Sequence, residues 1–130
     1  MTQCPCGHQS KYEDCCERLH SGKQDAKTAE ELMRSRYSAF ARNQIGYLRD
    51  TTWPAYRKHF DEMAYSDRAI SSIWMGLAIH SSEDGQEGDT TGTVRFTARS
   101  MAHGQVTEQT ERSLFRKRKD KWYYVKPLET

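Results

Sequence analysis

The sequence predicts an α+β protein in which helices cover one face of an antiparallel sheet, preceded by a small cysteine-rich knuckle. Three observations lead to this prediction. All four cysteines lie within the first 16 of the 130 residues. Apolar residues then recur at helical spacing as far as Met63, and the apolar period changes to two after Ser72. Helices followed by hairpin-linked strands are typical of the α+β class.

The overall composition excludes some classes of protein. The net charge is +2, from 20 basic and 18 acidic residues, which does not by itself indicate a nucleic-acid-binding domain. The sequence contains no apolar run of ~18 residues, so no membrane span is expected. The N-terminus lacks the charged and apolar regions of a secretory signal. We therefore expect a cytoplasmic protein with reduced thiols, and cysteine clusters there are more often metal sites than disulfides.

The knuckle carries the most specific chemical signal in the chain. Its four cysteines suit a single tetrahedral Zn²⁺ ion that leaves no position open for substrate: Cys4, Cys6, Cys15 and Cys16. The intervening residues are too few and too polar to form a core, so the metal would have a structural role. Alternatives are two disulfides, iron in place of zinc, and His8 or His20 in place of one thiol.

The next residues predict a linker and then three helices. Residues Leu19–Lys27 are polar and indicate the linker. Thr28 and Glu31 form a capping-box pattern that starts the first helix. The face of this helix that should pack on the core consists of Ala29, Leu32, Met33, Arg36, Tyr37 and Phe40. Arg36 is its only charged residue. Arg36 would pack its stem on the core with its head in water, pair with a carboxylate inside the protein, or line a polar cavity.

Two shorter helices follow in the prediction, over Gln44–Thr51 and Ala55–Met63, the second with His59 on an apolar stripe. The strands then form a meander. We expect them over residues 73–80, Thr91–Ala102, Gln105–Lys117 and Trp122–Val125, with turns at Glu83–Asp89, His103–Gly104 and Lys119–Asp120.

The knuckle resembles a known metal motif. Cys4-Pro5-Cys6-Gly7, Lys11-Tyr12 and Cys15-Cys16 are similar to the SEC-C zinc motif at the C-terminus of the SecA translocation ATPase. The resemblance implies a knuckle over residues 1–22 with the four cysteines as ligands. Because the SecA knuckle contacts partner proteins, it also implies a partner surface, for which Lys11 and Tyr12 are the candidates.

The remainder resembles the YchJ family, which joins a SEC-C motif to a cone-shaped domain like that of nuclear transport factor 2. The segments that carry the resemblance are Leu32–Phe40, Tyr47-Leu48, Thr52-Trp53-Pro54, Trp74–Leu77, Glu111–Ser113 and Trp122–Tyr124. It implies a cone over residues 28–130, with about three helices packed on a curved antiparallel sheet of about four strands. The family has no established activity, so the resemblance implies an architecture and no reaction.

Cones of this superfamily enclose a pocket between the sheet and the helices. Candidate pocket residues are arginines, aromatic residues and two further titratable groups: Arg36, Tyr37, Trp53, His59, Trp74, Arg99, Glu111 and Arg112. Arginine offers a bidentate fork to carboxylate or phosphate, which favours an anionic ligand. The alternative is that Glu111 and Arg112 simply pair across the sheet. No catalytic motif is matched, so no catalytic residue is assigned and an enzyme is not favoured.

The sequence therefore predicts a zinc-binding adaptor for a protein or ribonucleoprotein partner, with a small-molecule binder or enzyme using the cone pocket as the alternative. Residues Arg116–Lys121 form one basic run, compatible with RNA contact or with a charged hairpin tip. On a nearly neutral chain the hairpin tip is favoured, so nucleic acid ranks below a protein partner. A homodimer through the open sheet face is a further expectation.

Overall fold

A computed structural model of the protein describes residues 3–129. The helices begin with a short 3-10 helix at Tyr12–Asp14 and continue as α1 (Glu17–His20), α2 (Ala29–Ala41), α3 (Ile45–Asp50), a 3-10 helix at Pro54–His59 and α4 (Glu62–Ser71). The strands are β1 (Ile73–Asp84), β2 (Thr91–Ala102), β3 (Gln105–Arg118) and β4 (Lys121–Glu129). All neighbouring strands are antiparallel in the order β1-β2-β3-β4. The predicted α+β meander behind a cysteine knuckle is confirmed.

Helix α2 starts where its cap was predicted. The hydroxyl of Thr28 accepts a hydrogen bond from the amide of Glu31 at 3.1 Å. The carboxylate of Glu31 accepts from the amide of Lys27 at 2.8 Å, one residue before the amide that a full capping box would use. The face that follows is buried against the sheet, so the cap fixes where this face meets the core.

The segment after α3 differs from the prediction. A helix over Ala55–Met63 is wrong: the 3-10 helix ends at His59, and the Asp61 side chain caps a new helix by accepting from the amide of Ala64 at 3.1 Å. The predicted apolar stripe, Tyr56, His59, Phe60 and Met63, is not a buried face. Tyr56 is 44% and Met63 is 77% exposed, and only Phe60 packs inward, against Tyr65. The Asp61 N-cap starts a new helix inside the apolar repeat, so the helical spacing of apolar residues did not predict the helix boundary.

Strand β1 does not keep the simple alternation that its sequence suggests. Trp74 pairs with Ser100 and Gly76 with Arg99, so Met75 is an extra residue in a β-bulge. The bulge turns Trp74 toward the core together with Leu77 and Ile79, whereas Ile73 and Met75 are exposed. Period-two counting from Ile73 is therefore right for Leu77 and Ile79 but wrong for Ile73 and Met75, which precede the end of the bulge.

The core lies between α2 and the sheet, and it extends into the predicted linker. Leu32, Phe115 and Trp122 are among its most buried members. Leu19 and Ala26 join the same cluster, so the linker prediction is wrong for these two residues. The segment after α3 also contacts the sheet, because the amide of Trp53 donates to the carbonyl of Tyr124 at 2.8 Å.

No helix in residues 3–129 is long and apolar enough to cross a membrane.

Candidate metal centre

Four thiols converge at one point of the knuckle. The Sγ atoms of Cys4, Cys6, Cys15 and Cys16 all lie within 4.8 Å of one another, and all four residues are buried. Tetrahedral zinc with Zn–S bonds of ~2.3 Å separates its sulfurs by about 3.8 Å, so the cluster needs little adjustment to hold such an ion. A set of four thiolates fills the coordination sphere.

Local backbone contacts shape this cluster. The amide of Cys4 donates to the carbonyl of Ser10 at 2.8 Å, and the amide of Cys15 donates to the carbonyl of Tyr12 at 3.0 Å. Gly7 adopts a φ of 96° directly after Cys6, a conformation that glycine reaches without strain. These contacts fold the chain back on itself between the two cysteine pairs.

The alternatives that the sequence left open fit this geometry less well. All four cysteines are free, and the Sγ atoms of Cys6 and Cys15 are 3.6 Å apart, well beyond a disulfide bond of ~2.05 Å. Both ring nitrogens of His20 are engaged by other groups, at 2.6 and 2.8 Å. The Nδ1 atom of His8 lies 3.6 Å from Cys15 Sγ, in position for a hydrogen bond to a sulfur ligand.

The electrostatics of the cluster favour a bound cation. Burial raises the pKa of the Cys15 thiol to about 12. Hydrogen bonds with Cys4 and Cys6 raise the pKa of Cys16, while hydrogen bonds from Cys16 and Cys6 lower the pKa of Cys4. Without a cation, crowded sulfurs therefore cannot all ionise together. A divalent ion at their centre removes this penalty, and binding it releases protons.

The knuckle is docked on helix α2. The Nη1 atom of Arg34 donates to the carbonyl of Cys6 at 2.8 Å, and its Nε atom pairs with Glu30 at 3.1 Å. The Sγ atom of Cys4 lies 3.7 Å from Ser38 Oγ. The guanidinium of Arg42 stacks over the ring of Tyr12, with 4.1 Å from Cζ to the ring centroid. Arg34 and Ser38 of α2 and its C-cap residue Arg42, spaced one turn apart, thus all contact the knuckle.

His20 links the knuckle to α2 and α3, a role that sequence reasoning missed. Its Nε2 atom is 2.8 Å from the carbonyl of Ser35, so Nε2 donates and Nδ1 accepts from the Tyr12 hydroxyl at 2.6 Å. The ring also lies 4.7 Å from that of Tyr47, whose hydroxyl is 2.7 Å from Ser35 Oγ. Burial lowers the pKa of His20, which favours this neutral tautomer.

The two predicted partner-contact residues have different environments. Lys11 is exposed at the edge of the knuckle. Tyr12 is only 8% exposed, because it lies between Arg42 and His20. The structure thus gives Tyr12 an internal docking contact, and Lys11 is the residue of the pair that a partner can reach.

A separate cavity of about 120 Å³ lies between the helices and the sheet. Its walls are mainly aromatic, with charged groups from α2, α4 and β3: Met33, Arg36, Tyr37, Phe40, Tyr65, Arg68, Trp74, Phe96, Ala98, Gln109, Glu111 and Tyr124. The Nη1 atom of Arg36 donates to the carbonyl of Leu48 at 2.9 Å and to Thr51 Oγ1 at 2.7 Å. Glu111 accepts from Gln109 at 3.0 Å and from Ser113 at 2.6 Å.

The structure brings together only some of the predicted pocket residues. Arg36, Tyr37, Trp74 and Glu111 line the cavity, and burial lowers the pKa of the Arg36 guanidinium. The remaining four candidates lie outside the cavity: Trp53, His59, Arg99 and Arg112. The sequence also missed Tyr65 and Arg68 as lining residues, because α4 itself was not predicted.

Each of the displaced residues has a physical reason for its position. Arg99 pairs with Glu108 at 3.0 Å on an exposed part of the sheet. Arg112 alternates with buried neighbours on β3, so it faces away from the cavity and lies opposite Arg95. His59 is exposed at the end of the 3-10 helix. Trp53 packs edge-on against Tyr123, with ring centroids 5.9 Å apart.

Comparison with known proteins agrees with this architecture. The family model described as "YchJ, middle NTF2-like domain" matches residues 28–127. A UPF0225 protein of Geobacter sulfurreducens is 46% identical over 122 residues, which cover 94% of this chain and 76% of that protein. A UPF0225 protein of Haemophilus influenzae is 36% identical over 129 residues, covering 98% of this chain and 78% of that protein.

Two solved structures share the complete fold. The solution structure of a SEC-C motif-containing protein from Rhodopseudomonas palustris superposes with a TM-score of 0.90 at 33% identity and covers 99% of each chain. The crystal structure of a SEC-C motif-containing protein from Psychrobacter arcticus gives a TM-score of 0.86 at 29% identity, with 100% of this chain and 84% of that chain covered.

Proposed function

Because this chain belongs to the YchJ family and has its NTF2-like fold, we propose that it is a zinc-binding adaptor for a protein or ribonucleoprotein partner. The observation that carries the proposal is the closed set of four buried thiols on a knuckle fixed to helix α2. A filled coordination sphere provides no site for substrate, so the metal would hold a surface in shape. The proposal places the protein in the cytoplasm, where thiols stay reduced.

Zinc is the ion that fits the donor set best. Four thiolates in tetrahedral arrangement select zinc or an iron–sulfur centre, and a single small knuckle of this kind favours zinc. The residues that would hold the ion are Cys4, Cys6, Cys15 and Cys16. In this role zinc contributes folding free energy to a segment that otherwise has almost no core.

The partner surface in this proposal is the exposed edge of the knuckle. It includes residues 8–11 together with Glu13 and Asp14, all of which are exposed. Tyr12 supports this edge from behind through its contacts with Arg42 and His20. These contacts hold Tyr12 in place behind the edge, which would lower the entropy lost on binding.

The adaptor proposal is tested by quantitative affinity capture from cells. We expect Lys11→Glu to reduce recovery of specific partners while zinc content and melting temperature stay unchanged. Lys23→Glu is the matched control, because Lys23 is exposed outside the knuckle edge. An identical partner profile for Lys11→Glu and the unaltered protein would contradict the proposal.

A second candidate function rests on the cavity in the cone. Arg36 and Glu111 are 5% and 9% exposed and line the same small space, although no ion pair joins them among the described residues. A volume of about 120 Å³ suits a small anionic ligand. Such a ligand would raise the melting temperature with concentration. Screening small carboxylates and phosphate by thermal shift tests this, and a flat response for every anion would contradict it.

A further inference from the structure

The outer side of the β3–β4 hairpin combines cations with half-buried aromatic rings. Phe115 and Trp122 point into the core, so their neighbours Arg116 and Tyr123 face the opposite side of the sheet, where they pair across the strands. The 3-10 helix after α3 lies alongside. We call the resulting surface the basic–aromatic face and define it by Trp53, Arg57, Arg116, Arg118, Lys121 and Tyr123.

Five of these side chains form one continuous cluster, and Arg118 lies opposite one of them, Lys121, in the strand register. The guanidinium carbon of Arg116 lies 4.9 Å from the ring centroid of Trp53, and Trp53 lies 5.9 Å from Tyr123. Arg57 and Lys121 lie over the ring of Tyr123 at 5.6 and 5.8 Å. Tyr56, which is 44% exposed, lies on the same 3-10 helix. Cations and rings thus alternate over this surface.

The cations of the face have no carboxylate partner among the side chains that the structure describes. None of the ion pairs found among residues 3–129 includes a cation of the face. Arg118 and Lys121 lie directly opposite each other at the end of the hairpin, an arrangement of like charges that destabilises a strand pair. Asp120 in the turn borders a different surface, next to Lys117 and Trp122.

Protection of a sheet edge does not account for these cations. Cations on edge strands commonly prevent pairing with another chain. Here the edge of β4 near Tyr124 already pairs with the segment after α3: Tyr124 donates to the carbonyl of Thr51 at 2.8 Å, and Trp53 donates to the carbonyl of Tyr124 at 2.8 Å. The edge is therefore already covered at Tyr124, and Arg116 and Arg118 lie on β3, which is an interior strand of the sheet.

We propose that the basic–aromatic face binds single-stranded RNA. Arginine and lysine would contact successive phosphates, and Trp53 and Tyr123 would stack with unpaired bases. Aromatic platforms next to cations are the usual means by which proteins hold single strands without sequence preference. A duplex keeps its bases stacked internally, so the rings select a single strand. The inference does not depend on the knuckle, because none of the six residues belongs to it.

The experiment measures fluorescence anisotropy of a labelled, unstructured RNA oligonucleotide with full-length metal-loaded protein across a salt series. The test variant is Arg116→Gln/Arg118→Gln. The matched control is Lys23→Gln/Lys27→Gln, which removes the same charge from two exposed lysines outside the face. We expect the loss of two phosphate contacts to make the negative slope of log K (association constant) against log salt concentration shallower by about 1.4. This corresponds to about 25-fold weaker binding near ~0.1 M salt.

A second pair of variants tests the aromatic contribution separately from charge. Trp53→Phe keeps a stacking ring and Trp53→Leu removes it, so we expect the leucine variant to bind RNA about tenfold more weakly than the phenylalanine variant. Circular dichroism verifies that both variants are folded, and Tyr123→Leu replaces Trp53→Leu if that variant is not.

The outcomes separate the proposal from its alternatives. Selective loss in the arginine and leucine variants, with the lysine control unchanged, supports it. Absence of RNA binding at ~50 mM salt, or equal loss in both charge variants, overturns it. A polyglutamate peptide that binds as tightly as the RNA also overturns it, since that peptide has no bases to stack.

Discussion

The contact between Arg34 and the knuckle offers a direct test of whether docking on α2 protects the metal site. Arg34 donates to the carbonyl of Cys6 at 2.8 Å and pairs with Glu30 at 3.1 Å, with only 17% of its side chain exposed. Arg34→Met keeps the apolar stem and removes both interactions. A hydrogen bond from a charged donor contributes ~1.5–3 kcal/mol and an i,i+4 pair ~0.3–0.5 kcal/mol.

We therefore expect Arg34→Met to destabilise the docked state of the knuckle by about 2 kcal/mol. At 1.4 kcal/mol per factor of ten, this raises the population of the undocked knuckle by about 30-fold. The rate at which a colorimetric chelator removes metal should rise by a similar factor, provided that release passes through the undocked form. Arg49→Met is the control, because Arg49 pairs with Asp50 and Glu62 in the exposed region around α3 and α4. An unchanged release rate in Arg34→Met, or equal acceleration in Arg49→Met, would show that docking on α2 does not protect the metal site.

Two further predictions concern the sheet. Phe115→Ala, at a fully buried position, should lower the free energy of unfolding by ~3–5 kcal/mol in urea titrations, whereas Val106→Ala at a 51% exposed position should change it little; similar losses would contradict the assigned core. Gly85→Ala should lower the melting temperature more than Gly104→Ala does. Both glycines have a φ of 76°, but a Cβ on Gly85 would lie 2.8 Å from the Cβ of Ala29, and one on Gly104 meets nothing within 4 Å. Equal costs would show that α2 does not approach this turn so closely.

Much of the fold could be predicted because single local signals determined each element. Thr28 and Glu31 marked the start of α2, and alternation marked β2 and β3 almost to the residue. The spacing of the four cysteines predicted that their sulfurs would meet. In these places propensity, capping and periodicity all favour the same structure, which makes a local signal reliable.

The remaining features depend on tertiary contacts that no local signal records. The bulge at Met75 changes which residues of β1 face the core, from Trp74 before it to Leu77 and Ile79 after it. Only the register with β2 reveals this bulge. Arg99 and Arg112 were candidates for the pocket because of their residue type, but the alternation of β2 and β3 places them on the outer side. Tyr12 matched a motif that suggested partner contact, whereas its burial depends on Arg42 and His20 from neighbouring helices.

Hydrogen exchange with parallel metal analysis tests whether a metal ion folds the knuckle. Metal-dependent folding predicts one zinc ion per chain in purified protein. It also predicts that chelation removes protection from the amides of Cys4 and Cys15, which bond within the knuckle, while amides of Val94 and Phe115 in the central strands stay protected. Metal-free protein with full protection at Cys4 and Cys15, or with disulfides joining the four cysteines, would contradict it.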